Sequence, residues 1–101
     1  TSVIFVARVD ERPVGFTQLY SSYCSVDATP IWVLYDLYVQ QDARRLGAGK
    51  ALMNRALAHA KASGASRIDL ETEINNVNAQ QLYESLGYVR DTEFYKYSLE
   101  L

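Results

Sequence analysis

The 101 residues contain one cysteine, Cys24, so no intramolecular disulfide can staple the fold, and a reducing compartment is the default expectation. One histidine, His59, stands without a carboxylate or thiol at metal-ligand spacing, and no metal is expected. Long apolar runs are missing too. Nothing approaches the roughly 20 residues that span a bilayer, and no signal-peptide pattern opens the chain. Neither sign of charge dominates: ten Lys+Arg against twelve Asp+Glu leave −2, which gives no global positive field for a nucleic-acid backbone or an anionic membrane. The expectation is a single cytoplasmic domain over residues 1–101, with no nucleic-acid and no membrane partner.

What is present suffices for one core, since 49% of the residues are apolar. Val3 to Ala7 is a β-branched and aromatic run, followed by the polar cluster Asp10-Glu11-Arg12-Pro13 and a second run from Val14 to Tyr20, which predicts an antiparallel hairpin. Ser21 to Pro30 reads as a loop. Ile31 to Val39 carries a single charge in nine residues, the pattern of a central strand covered on both faces. Strict alternation would put Ile31, Val33, Tyr35, Leu37 and Val39 on one face and Trp32, Leu34, Asp36 and Tyr38 on the other. Leu52, Met53, Ala56, Leu57 and Ala60 recur at helical spacing between Lys50 and Ser63, and Gly64 stops that helix. In that helix His59 is expected to face solvent. Ser66 to Thr72 alternates as a strand, and Ala79, Leu82, Tyr83 and Leu86 make a second helix that ends at Gly87. Tyr88–Arg90 and Phe94–Leu101 read as closing strands. The predicted class is α/β of the α+β type: a mixed, mostly antiparallel sheet flanked by two helices.

Chemistry concentrates where the central strand hands over to the first helix. Arg44-Arg45-Leu46-Gly47-Ala48-Gly49-Lys50 combines free helix-start amides, the positive end of the helix dipole, basic side chains and glycines that admit close backbone approach. Such a turn can hold a phosphate or pyrophosphate; the plainer reading is a tight turn with solvated arginines. A Walker A loop would need glycine at Arg44 and Ser or Thr at Ala51. A dinucleotide fingerprint would need glycine at Leu52 and an opening βαβ unit.

R-x-x-G-x-G after Leu37-Tyr38-Val39 resembles the acetyl-CoA loop of the GNAT-type N-acetyltransferases. Asn76-Val77-Asn78-Ala79-Gln80-Gln81-Leu82-Tyr83-Glu84-Ser85-Leu86-Gly87-Tyr88 is similar to that family's second signature, N-x-x-A-x-x-L-Y-x-x-x-G-[FY], about 25 residues further on. The resemblance implies that the backbone of Leu37, Tyr38 and Val39 pairs with the pantetheine arm of acetyl-CoA, as an added strand would. It implies that Arg44 and the amides from Arg45 through Leu46, Gly47, Ala48 and Gly49 to Lys50 hold the pyrophosphate. It also implies that Asn76 contacts the cofactor and that Tyr83 protonates the departing thiolate. On residue type alone, Asn76 is equally a helix N-cap and Tyr83 a core aromatic.

The implied activity is transfer of an acetyl group to a primary amine of a small molecule or peptide by direct attack in a ternary complex. A non-catalytic acyl-CoA-binding or assembly module is the rival. Two departures from the family pattern stand out. Tyr35 occupies the position where members often carry a glutamate, with Asp36 beside it on the opposite face, and the usual amino-terminal strand and helices are missing. Uncovered strand edges at Val3–Val9 and Phe94–Leu101 predict a homodimer.

Overall fold

The structure, a computed structural model, describes residues 1–24 and 28–101. Within the predicted loop, Ser25 to Asp27 lie outside the described residues, as do the Cys24 thiol and the Arg45 side chain. The chain forms two compact units, Thr1–Glu71 and Thr72–Leu101.

The first unit is a four-stranded sheet in the order β1-β2-β3-β4 with one long helix, α1. Strands β1 (Ser2–Val9) and β2 (Arg12–Cys24) pair antiparallel across the two-residue turn Asp10-Glu11. Both turn residues have positive φ, 50° and 65°, the conformation whose twist matches the flanking strands. Strand β3 (Thr29–Val39) pairs antiparallel with β2, and the short β4 (Ile68–Leu70) lies parallel to Trp32–Leu34 of β3. Both β2 and β3 run further into the expected Ser21–Pro30 loop than composition suggested, because ladder pairing from Ser21↔Trp32 to Cys24↔Thr29 satisfies their polar backbone.

Strict alternation along β3 fails at one place. Gln18 pairs with Asp36 but Leu19 pairs with Leu34, so Tyr35 is an extra residue, a β-bulge. The bulge resets the phase. Trp32, upstream of it, meets α1 through His59 and Ser63, and Leu37 and Val39, downstream, also pack on the α1 side. The expected division of this strand into odd and even faces is therefore corrected.

Helix α1 (Ala48–Ala62) buries Ala48, Leu52, Met53, Ala56 and Ala60. With Val14, Val39 and Ala43, residues Ala48 and Leu52 form a core cluster against which Phe5, Ala7, Val9 and Leu37 pack. Two expectations for this helix change. Leu57 lies on the exposed side. His59 faces inward: its ring stands edge-on to Phe5 and Trp32, with centroids 5.5 and 5.0 Å away, and its Nε2 is buried without a partner. Its position three residues after Ala56 and seven after Leu52 is the helical spacing that puts it there.

The second unit holds α2 (Val77–Ser85). No strand forms at Tyr88–Arg90 or Phe94–Leu101, contrary to expectation. Alternating apolar residues become a strand only when a ladder partner satisfies their backbone, and this unit contains none. Asp91 instead accepts from the N–H groups of Glu93 and Phe94, closing a local side-chain turn.

Candidate functional site

Three features of the first unit converge at the end of β3. First, β4 stops opposite Leu34, so β3 beyond the bulge has no partner on that side among the described residues. Gln40 N–H donates to Val14 C=O at 2.7 Å. Alternation along an antiparallel ladder then turns the N–H and C=O of Tyr38 toward β2 and those of Leu37 and Val39 away from it. Of the three residues expected to offer their backbone to a ligand, Leu37 and Val39 have it facing the open edge, while Tyr38 spends its own on β2.

Second, the connection after β3 is a 3₁₀ turn, Gln41–Leu46, ending at Gly47 with φ 78°. Ala43 is buried beneath it, and Arg44 Nε donates to Val39 C=O at 3.0 Å, which ties the turn to the strand end. Gly47 is at once the last residue of this turn and the N-cap of α1, and its positive φ explains the glycine. The first bond of the helix runs from Ala51 N–H to Gly47 C=O, and no side chain caps the end. The N–H groups of Ala48, Gly49 and Lys50 therefore point out of the helix start, with no acidic residue in the first turn.

Third, Gly15 of β2 sits against the back of this strand end. A Cβ there would lie 2.6 Å from the Tyr38 carbonyl oxygen and 3.2 Å from Val39 Cα. Thr17, fully buried, donates its hydroxyl to Asp36 C=O at 2.8 Å. Both residues position the β3 edge, and sequence reasoning missed both. The signal available was a glycine inside an otherwise β-branched and aromatic run, which marks a close backbone approach.

At the bulge, Tyr35 and Asp36 line the same open cavity, of about 300 Å³, together with Tyr20. Asp36 is thus not turned away from Tyr35 as alternation implied. Tyr20 and Tyr35 meet edge to face, centroids 4.9 Å apart at 87°.

In the second unit, the Asn76 side chain caps α2 by accepting from Ala79 N–H at 3.2 Å. Gln80 donates its amide to Glu73 C=O and Ile74 C=O, holding the preceding turn. The other end of α2 is a Schellman turn: Tyr88 N–H bonds Tyr83 C=O and Gly87 N–H bonds Glu84 C=O, with Gly87 at φ 96°. The rings of Tyr83 and Tyr88 lie with centroids 6.0 Å apart, tilted at 56°, the apolar contact that accompanies such a turn. Tyr83 is buried, and burial pushes its phenol above the usual tyrosine range, so it is held as a neutral O–H donor. Tyr88 is pushed up by burial first and by the neighbouring Tyr83 second.

Raised folded-state values give a definite sign. Stability from these phenols is fully present below about pH 10, where free tyrosine begins to ionise, and is lost as pH rises through the raised values. Thermal melts across the alkaline range should show that fall, and Tyr88→Phe should flatten it. The Tyr88 hydroxyl is buried without a partner, so Tyr88→Phe is also expected to be neutral or stabilising by up to about 1 kcal/mol at neutral pH. A loss of more than that would show that the hydroxyl is bonded.

No three potential metal ligands cluster, and no helix is long and apolar enough to cross a membrane, among the described residues. The profile of the Acetyltransferase (GNAT) family matches residues 1–88. The chain belongs to the GNAT acetyltransferase family. This makes it an acyltransferase domain. An uncharacterized N-acetyltransferase of Bacillus subtilis, YhfO, is 42% identical over 100 residues, covering 99% of this chain and 67% of that protein. An uncharacterized N-acetyltransferase of Methanocaldococcus jannaschii is 31% identical over 85 residues, 83% of this chain but 38% of that protein. A crystal structure of a probable acetyltransferase, 38% identical, superposes with a TM-score of 0.89 over 99% of this chain and 68% of its own. The GNAT family generally uses acetyl-CoA as co-substrate, and the open β3 edge and uncapped α1 start have the donors and acceptors to fit its amide-bearing arm and its phosphates.

Proposed function

We propose that this GNAT domain transfers an acetyl group from acetyl-CoA to a primary amine of a small molecule or peptide, by direct attack in a ternary complex. The observation that carries the reading is the adjacency of the open β3 edge, at Leu37 and the Val39 N–H, to the free N–H groups of Ala48, Gly49 and Lys50. In this reading the Leu37 backbone and the Val39 N–H pair with the amides of the pantetheine arm, Arg44 holds the Val39 C=O, Tyr38 orders the strand by its bonding to β2, and the amides from Arg45 to Lys50 receive the pyrophosphate. Arg44 and Leu46 shape that turn, and Asn76 contacts the co-substrate besides capping α2. The amine nitrogen attacks the thioester carbonyl carbon, the carbon–sulfur bond breaks, and the Tyr83 phenol gives its proton to the sulfur. The amine's proton leaves through water or a backbone carbonyl, because a tyrosine, Tyr35, stands where many members carry an acid.

Binding of CoA is the first test. A ligand present at about 100 times its dissociation constant adds about 2.7 kcal/mol to stability, a rise of many degrees for a domain of this size. Absence of any shift in melting temperature at millimolar CoA would defeat the reading. Gly47→Val should abolish the shift while its left-handed φ also costs stability, so CoA affinity is best compared by calorimetry below the melting range. Stabilisation by CoA without transfer to any amine would favour the rival, a non-catalytic acyl-CoA-binding module.

The same reading includes a two-fold homodimer. Its support is that β1 is an edge strand of the described sheet with Ile4 and Val6 on the exposed side. Sedimentation of the chain as an 11.4 kDa monomer at about tens of micromolar would count against it. A cytoplasmic location belongs to the same set of expectations.

A further inference from the structure

The cavity at the β3 bulge has a composition that the acetyl-CoA reading does not use. Its wall is two aromatic rings at right angles, Tyr20 and Tyr35, and one acid, Asp36. Tyr35 is largely exposed and, as the extra residue of the bulge, has no residue opposite it in the ladder; its ring contact is the edge-to-face one with Tyr20. The Asp36 side chain belongs to neither the Arg12–Asp42 nor the Arg67–Asp69 ion pair, and it makes no side-chain hydrogen bond among the described residues. The backbone of Asp36 is fixed instead by Thr17, through its carbonyl. An aromatic corner beside an unpaired carboxylate is a receptor for a cation: ring faces attract positive charge, and the carboxylate supplies a charge-assisted acceptor. The bulge makes this arrangement possible by bringing two consecutive residues to one side of the strand. One residue further along begins the open edge, at Leu37.

We propose that the corner formed by Tyr20, Tyr35 and Asp36 receives an alkylammonium group of the amine acceptor. This rests on the acetyltransfer reading and narrows its substrate class to cationic alkyl amines, diamines above zwitterions of equal length. The ammonium lies against a ring face and donates to the Asp36 carboxylate. A carboxylate on the same ligand would be repelled by Asp36, and a purely apolar ligand would leave that acid unpaired.

The test needs no acetyl-CoA. The probes are 1,4-diaminobutane and 4-aminobutanoate, titrated onto the whole chain while the ring signals of Tyr20 and Tyr35 are followed by NMR. The diamine should shift both ring signals and bind at least about threefold more tightly than the zwitterion. Asp36→Asn should weaken the diamine about tenfold and erase the preference. Tyr35→Leu should weaken it about threefold, and Tyr35→Phe should not. Both positions are exposed, so these variants are expected to fold, and an unchanged CoA-induced melting shift would verify that. No response to the diamine at about tens of millimolar, or equal affinity in wild type and Asp36→Asn, would overturn the proposal. Failure of CoA to bind the wild-type chain would instead overturn acetyltransfer and leave this titration to be read on its own.

Discussion

Tyr83→Phe should lower turnover at least tenfold at neutral pH, with CoA affinity and melting temperature nearly unchanged. The substitution removes one hydroxyl and keeps the ring, so the contact with Tyr88 and the Schellman turn behind it survive. The thiolate sulfur then has to take its proton from water. A positioned acid contributes roughly 10²–10⁴-fold, and a loss in that range under saturating acetyl-CoA would assign Tyr83 to the chemical step. Because burial pushes the phenol up, wild-type activity should also not fall from ionisation of Tyr83 anywhere in the neutral range. Equal turnover in the two proteins would leave Tyr83 as a packing residue of α2 alone.

Gly15→Ala should be the most damaging single methyl group in the first unit. The added carbon meets a backbone oxygen, Tyr38 C=O, at 2.6 Å, and backbone cannot rotate away as a side-chain tip can. Either β2 and β3 separate locally or the strand end shifts outward, at a cost of roughly 1–3 kcal/mol. For a chain of this size each kcal/mol is about 4–8 °C of melting temperature. The loss should be coupled to the ligand: CoA should bind more weakly, because the displaced residues are the neighbours of Leu37 and Val39. Gly64→Ala provides the contrast. Its φ is positive, 80°, and the space around it is open, so the substitution should cost stability through backbone strain alone, without altering CoA affinity.

The helices and the first hairpin were legible in the sequence because their signals are local. Helical spacing from Leu52 to Ala60, the glycine after α1 and the turn residues Asp10-Glu11 each act within a few positions of themselves. The second signature was legible for a reason of the same kind. Asn76 as N-cap, Gly87 at positive φ and Tyr88 folded back on Tyr83 are the start and stop of one short helix. What failed to show was whatever depends on a partner strand. The residues from Phe94 to Leu101 alternate as a strand should, yet alternation does not supply a ladder. The Tyr35 bulge was hidden for a similar reason. It is a mismatch of register between β2 and β3, and neither strand carries it alone. The polarity of His59 points to solvent, yet a ring packed edge-on against Phe5 and Trp32 counts by area more than by its nitrogen.

The bulge also decouples two kinds of change along one strand. Upstream and downstream of Tyr35, the residues facing α1 are held by packing, so Leu34 and Leu37 have little freedom to vary. Tyr35 and Asp36 carry no such obligation. A lineage could exchange either of them for another polar or aromatic residue, and so exchange one acceptor chemistry for another, without disturbing the helix behind or the strand edge beside it. Deleting Tyr35 would be a different event. It would leave Leu19↔Leu34 and Gln18↔Asp36 as consecutive pairs of an even ladder, with Leu34, Leu37 and Val39 still facing α1, so the core would survive the removal while the aromatic wall beside Asp36 would be lost.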